Sequence, residues 1–267
     1  AIKNDKGEWI LVNGNQNALL FTHYLISQYK ATGRIREGAY MVKTIVTTEL
    51  MKKIADRNGI ECFDVYTGFK WIAAIMRELE GKRQYIGGGE ESYGFLVEDF
   101  VRDKDAVSAC AMMAEIAAWP KDNGKTMYEL LQDIYVEYGF SKEKGISVVR
   151  KGKSGAEEIE AMMKNFREHP ITEIAGSKVV LAKDYATLVA HDFVAGEKYT
   201  LDMPTTSNVL QYFTEDGTKV SVRPSGTEPK IKFYIEVSGE LKSRADYDNA
   251  VAAAEEKIKA VSVSLGV

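Results

Sequence analysis

Long apolar runs are missing from this chain, and histidine, cysteine and any excess of positive charge are scarce. No stretch approaches the ~20 apolar residues that a membrane-crossing helix needs, and the residues from Ala1 onward do not read as a secretory signal. His23, His169 and His191 are the only histidines, and their spacing is not that of zinc ligands. Cys62 and Cys110 lie far apart and fit buried thiols in a reducing compartment better than a disulfide framework. A formal net charge of −4 lacks the basic face on which broad nucleic-acid binding rests. The expectation is a cytoplasmic protein with no nucleic-acid or membrane partner, in which any bound phosphate is held by a local site.

The chain does contain enough for two domains of ordinary size: 267 residues, 45% apolar and 28% charged. The opening AIKNDKGEWILVN reads as a hairpin turning at Asn4–Gly7, its first strand (1–3) too short for the longer strand after it. With no initiating Met, that broken hairpin suggests a larger protein cut just upstream. Helical and extended patterns then alternate. A Leu20, Tyr24, Leu25 stripe precedes extended YMVKTIV, and a threonine-capped helix ending at Gly59 precedes extended ECFDVYT. A helix from FKW to Gly81 is followed by extended RQYIGG, and a further helix runs from Asp103 to Trp119 with Pro120 beyond its end. Such alternation predicts a three-layer α/β domain with a mixed, largely parallel sheet over residues 1–140. Thr126 and Glu129 form a capping box for its last helix, which stops at Gly139.

Past residue 140 the pattern changes. GISVVRKG reads as a strand, and Ser154 with Glu157 as a capping box opening a helix that ends at His169–Pro170. NVLQYFTEDGTKVSVR is a hairpin turning at Asp216–Gly217. In the strand after it, Ile231, Phe233, Ile235 and Val237 face one way and Lys230, Lys232, Tyr234 and Glu236 the other. A final helix runs from about Ser243 towards Ser262. Hairpin strands packed with two helices make a smaller α+β domain over 141–267.

Four polar segments could carry chemistry. In SVRPSGTEPK, Arg223 offers a planar fork for phosphate or carboxylate, Ser225 and Thr227 add hydroxyl donors, and Gly226 lets backbone N–H groups approach an anion. Pro224 and Pro229 stiffen the loop, so it reads as an anion mould, with a tight strand connection as the alternative. GGGEESYGF follows a strand with three glycines and then sets Glu90, Glu91 and Ser92 together. Carboxylates accept where sugar hydroxyls donate, although a turn with solvated glutamates has the same composition. Lys70 in YTGFKW stands in the first turn of a helix, opposed to the helix dipole, where a ligand anion would relieve the misfit. Lys104 sits between Asp103 and Asp105, either as a surface charge cluster or as a lysine held for proton transfer. GKT at 124–126 and GKS at 152–154 imitate P-loop ends but lack the upstream glycine, Trp119 and Ser147 standing there instead.

Taken in order, TGFKW, GEESYG, RDKDA and RPSGTEPKIKFY resemble motifs of the third and fourth domains of the α-D-phosphohexomutase superfamily, the phosphoglucomutases and phosphomannomutases. The resemblance covers nearly the whole chain and implies a TATA-binding-protein-like fold for residues 141–267. It implies transfer of a phosphoryl group between O1 and O6 of a hexose, through a phosphoserine and a bisphosphorylated intermediate. Thr67, Gly68, Glu90 and Ser92 would then contact the sugar, Lys70 and Lys104 would stand near the transferred group, and Arg223, Ser225, Gly226 and Thr227 would grip the distal phosphate. The family's Ser-His-Asn-Pro motif and its Asp-x-Asp-x-Asp loop for Mg²⁺ are absent from this sequence. The expectation is therefore an inactive C-terminal piece whose partners are a phosphorylated sugar and the missing N-terminal domains, with Mg²⁺ bound elsewhere. GEESYG favours a glucose phosphate; pentose or mannose transfer and a noncatalytic phosphosugar-binding module are the alternatives.

Overall fold

The computed structural model describes residues 1–150, 152–226 and 228–267. They form two compact units, residues 1–140 with 240–247 and residues 141–239 with 248–267.

The first unit opens with β1 (Ile2–Lys3) paired antiparallel to β2 (Trp9–Ile10), Ile2 opposite Ile10 and Lys3 opposite Trp9. The Asn4 side chain accepts from the N–H groups of Lys6 and Glu8 and closes the turn. The long second strand read from the sequence does not form, so the two strands match in length. The chain instead turns at Asn13, which caps α1 (Gly14–Ala31) in a reciprocal box with Gln16. Leu20, Tyr24 and Leu25 form part of the buried side of that helix.

A βαβαβ run follows: β3 (Tyr40–Thr44), α2 (Glu49–Arg57), β4 (Glu61–Val65), α3 (Phe69–Leu79) and β5 (Tyr85–Gly89), with β6 (Phe95–Val97) folding back. The sheet order is β4-β3-β5-β6; β3 is parallel to β4 and β5, and β6 is antiparallel to β5. Tyr40, Val42, Tyr85 and Leu96 pack against Phe69, Ile72 and Met76 of α3 on one face. On the other face Leu25 of α1 approaches Gly87, and Phe21 stacks on Phe95 with centroids 4.3 Å apart. The result is three layers. Gly87, Gly88 and Gly89 lie inside β5, not after it, and none has a positive φ. Their role is closeness: a Cβ on Gly88 would lie 2.4 Å from the Val42 carbonyl oxygen.

Two further helices, α4 (Ala106–Asp122) and α5 (Met127–Tyr138), complete the α/β layers. Asp105 caps α4, which starts at Ala106 and not at Asp103, and accepts from the N–H groups of Val107 and Ser108. Pro120 lies within α4 and not beyond it. Its missing N–H costs one bond near the helix end, and the residue is buried, as is Ile116 one turn earlier. The capping box of α5 forms between Thr126 and Glu129, which accounts for the GKT segment as a helix start.

In the second unit β7 (Phe140–Val149) begins directly after Gly139, earlier than GISVVRKG suggested. Next comes α6 (Gly152–Glu168), which already includes Ser154, so that serine lies inside the helix and does not cap it. The strands β8 (Glu173–Ile174), β9 (Ser177–Asp184), β10 (Val189–Asp192), β11 (Glu197–Thr200), β12 (Leu210–Thr214), β13 (Lys219–Pro224) and β14 (Lys230–Gly239) follow. The sheet runs β11-β10-β9-β12-β13-β14-β7, with β8 beside β9. Gly217, at φ 81°, makes the β12–β13 turn. Ile231, Phe233, Ile235 and Val237 are buried as their alternation requires. Glu236, on the other face of the strand, is buried as well, because it meets Lys219 across the strands at 2.9 Å. The last helix, α7 (Tyr247–Leu265), starts after a 3-10 turn at Arg244–Asp246, later than expected.

Candidate functional site

Three of the four segments singled out in the sequence meet in the first unit. The short β5–β6 connection is closed by the Glu90 N–H donating to the Gly94 carbonyl at 2.8 Å. Glu90 then reaches across to the start of α3, where its Oε1 accepts from the Gly68 N–H at 2.7 Å. Gly68 is at φ 110°, a backbone conformation that suits glycine and turns its N–H outward before the helix begins. Opposite this junction stands Lys104, whose Nζ lies 5.4 Å from the centre of the Phe69 ring. A Cβ on Gly94 would sit 3.1 Å from Lys104 Cδ, 3.3 Å from Glu90 Oε2 and 3.3 Å from Phe69 Cε2. Gly94 is thus where the three segments come together. One Glu90 oxygen is fixed by backbone, while the other faces the Lys104 stem.

The remaining positions in these segments are arranged less tightly. Thr67 is half-buried beside Gly68, and Ser92 is exposed near the tip of the loop next to Tyr93. Lys70 is exposed in the first turn of α3, with Nζ 4.9 Å from the Trp71 ring centre. It borders a depression shared with Arg77, Glu80, Arg102 and Asp103. Lys104 pairs with Asp103 at 3.0 Å, and that ammonium together with the Lys104 N–H holds the Asp103 carboxyl below its usual range. Both side chains are largely exposed, so the pair adds little to stability.

Beneath this loop is a buried polar layer that the motifs did not reveal. Glu91 donates its N–H to Thr47 Oγ1 at 3.1 Å, and its Oε2 accepts from Thr44 Oγ1 at 3.3 Å. The two threonine hydroxyls are 2.8 Å apart, and Thr44, Thr47 and Thr48 are fully buried. Asn15 of α1 accepts from the Thr48 N–H at 3.0 Å. Lys43, fully buried at the same end of β3, lies 2.7 Å from Asp64 and 3.0 Å from Glu49. Burial disfavours its ammonium form, but Asp64 and Glu49 outweigh burial and hold it charged. One sequence signal was available: a lysine in the middle of YMVKTIV, every β3 residue of which is buried.

The fourth segment lies in the second unit. Arg223, next to last in β13, stands opposite Lys232 of β14, and both are half-buried. Ser225 donates its N–H to the Lys230 carbonyl at 2.8 Å, and Arg150 donates its N–H to the Pro229 carbonyl at 2.9 Å. The loop is therefore tied at both ends. Lys230 pairs with Glu228, which lowers the pKa of that carboxyl. Among the described residues the Arg223 guanidinium has no hydrogen-bond or ion-pair partner. Arg223, Lys230 and Lys232 share the face opposite the buried Ile231 and Phe233, a local basic strip in an acidic protein. Gly226 is exposed, and Thr227 lies outside the described residues.

Two family profiles cover most of the chain. Residues 13–138 match the phosphoglucomutase/phosphomannomutase alpha/beta/alpha domain III, and residues 146–254 match the phosphoglucomutase/phosphomannomutase C-terminal domain. The chain belongs to the phosphoglucomutase/phosphomannomutase family and contains its third and last domains. A phosphoglucomutase of Staphylococcus aureus is 39% identical over 242 residues, covering 88% of this chain and 42% of that protein. In a second strain the identity is 40% over 230 residues, covering 84% of this chain and 39% of the relative. The chain thus spans about two fifths of the length of these relatives. The fold also matches the open form of parafusin from Paramecium, a phosphoglucomutase, at TM-score 0.63 and 19% identity over 97% of this chain and 42% of that one. A phosphomannomutase structure from Thermus thermophilus matches at TM-score 0.53 and 17% identity, over 91% of this chain and 41% of that one.

Proposed function

We propose that this chain forms the sugar-reading and phosphate-gripping part of a phosphoglucomutase, an isomerase that interconverts hexose 1-phosphate and hexose 6-phosphate. The observation that carries the reading is Glu90, whose carboxylate is oriented by the Gly68 N–H beside Lys104. A carboxylate fixed by backbone accepts from vicinal hydroxyls without being ordered first, so little entropy is lost on binding. Ser92, at the loop tip, and Thr67 supply further hydrogen bonds to the sugar. Lys70 and Lys104 bring positive charge to the transferring phosphoryl group. Arg223, Ser225, Gly226 and Thr227 grip the phosphate that is not reacting. This division suits phosphoryl transfer, which depends mainly on positioning and charge stabilisation.

The family resemblance also implies Mg²⁺. Among the described residues no group of three or more His, Cys, Asp or Glu side chains is placed to hold a metal ion. The described residues therefore do not fit the role of metal holder, and no step is routed through Mg²⁺ on them. The metal loop and the phosphoserine belong, in this reading, to the part of the relatives' length that the chain does not span.

The test has two arms. Joined to the N-terminal part of the Staphylococcus aureus phosphoglucomutase, the chain is expected to turn over glucose 1-phosphate in preference to ribose 1-phosphate. By itself, titrated with glucose 6-phosphate and followed by amide NMR, it is expected to bind weakly and to shift resonances in both 67–70 and 90–94. No shift in either segment at millimolar ligand, together with an inactive chimera, overturns the proposal.

A further inference from the structure

Resting on that reading, the buried layer under the acidic loop has a role of its own. The loop 90–94 is short, glycine-flanked and exposed at its tip, and it carries a positive φ at Tyr93. Nothing in such a turn by itself aims Glu90 at Gly68. The aiming comes from below. Glu91 is held by its backbone N–H on Thr47 and by its carboxylate on Thr44, two fully buried hydroxyls that also bond each other. Thr47 is itself fixed, because its carbonyl accepts from the buried Lys43 Nζ at 3.4 Å and its N–H donates to the Thr44 carbonyl at 2.9 Å. From the side, α1 presses on the same residue: a Cβ on Gly14 would sit 1.8 Å from the Glu91 carbonyl oxygen. Only glycine allows that approach.

We propose that Thr44 and Thr47, with Gly14 as the abutment, are positioning residues that preform the sugar-reading loop. By locking Glu91 they leave its neighbour Glu90 one direction, towards the Gly68 N–H. Thr44 ends β3, Thr47 follows it and Gly68 follows β4, so the device links the carboxyl ends of adjacent parallel strands through the β5–β6 turn. Neither threonine touches the sugar in this account. Each acts on it through Glu91 and Glu90.

The experiment uses the 267-residue chain as wild type, Thr47→Val and Thr47→Ser, with the thermal midpoint recorded for each. Two ligands are titrated separately: glucose 6-phosphate, which needs the loop, and inorganic phosphate, which needs only the Arg223 strip. Thr47→Val is expected to weaken glucose 6-phosphate binding about five- to tenfold, the loss of roughly one hydrogen bond, and to leave inorganic phosphate binding unchanged. It is also expected to speed hydrogen exchange at the Gly68 amide, two contacts away, and Thr47→Ser is expected to restore both. A structural role alone would change the thermal midpoint but neither the ratio of the two affinities nor the Gly68 amide. If wild type binds glucose 6-phosphate and Thr47→Val binds it equally well, the inference is wrong and the proposed function stands. If wild type binds no glucose 6-phosphate, native-state exchange decides the inference, and an inactive chimera as well ends the function and the inference with it. Should Thr47→Val fail to fold, native-state exchange of the wild type decides. Gly68 and Glu91 amides that open with a common free energy support the coupling, and clearly different ones overturn it.

Discussion

Arg223 and Asp216 show how differently two charged side chains serve the same sheet. Arg223 lies next to the end of β13 with its guanidinium unpaired among the described residues. Replacing it by Ala is expected to weaken phosphate binding by about 1.5–3 kcal/mol while leaving stability almost unchanged. Calorimetric titration with inorganic phosphate checks this, and unchanged binding would make the arginine structural. Asp216 has the opposite character. Burial alone would raise its pKa, but bonds from Lys257, Thr214 and Thr218 outweigh burial and hold the carboxyl well below its ordinary range. A depressed folded-state pKa contributes stability above the unfolded value, near 4, and that stability is lost as pH falls. Asp216→Asn is therefore expected to cost about 1 kcal/mol at pH 7, discounted for the partial exposure of the pair. Urea melts at pH 7 and pH 2.5 test the sign: the gap between variant and wild type should narrow in acid.

At the level of elements, what could be read from the sequence followed from pattern, and what could not followed from contact. The Thr126–Glu129 box, the Asp216–Gly217 turn and the alternation from Ile231 to Val237 are local rules, and each forms as written. Pro120 inside α4 and Glu236 on a buried face break local rules, because burial of the proline ring and the partnership with Lys219 depend on distant residues. The site divides in the same way. Glu90, Gly68 and Lys104 carried visible motifs, whereas Thr44, Thr47 and Gly14 are ordinary residues until the fold stacks them under the loop. The Lys219–Glu236 pair also gives a prediction at this scale. Lys219→Met alone should destabilise the second unit by about 3–5 kcal/mol, since it takes the cation away from a buried carboxylate, whereas Lys219→Met with Glu236→Leu should be near neutral. Guanidinium melts of the single and double variants check it, and a single variant as stable as the double would refute it.

On the scale of the whole chain, the segment Glu240–Tyr247 leaves the strands of the second unit and joins the first. Arg244 bonds Glu129 at 2.8 Å and Asp133 at 3.2 Å, both on α5. Tyr247 packs among Tyr128, Tyr135 and Phe140, and Leu241 is buried. Tyr247→Ala is expected to cost the first unit about 3 kcal/mol, read as faster hydrogen exchange in α5. Unaltered exchange there would show the segment to be a passive linker.

That returning segment also sets a schedule. During synthesis the first 140 residues emerge well before the piece that completes their packing, which begins 100 residues after Phe140. At ordinary elongation rates of ~5–20 residues per second, α5 waits roughly 5–20 s with its aromatic side uncovered. A released chain ending at Phe140 should therefore be more open to protease at α5 than the 267-residue chain, and a chaperone that binds aromatic surface has its natural opening in that interval.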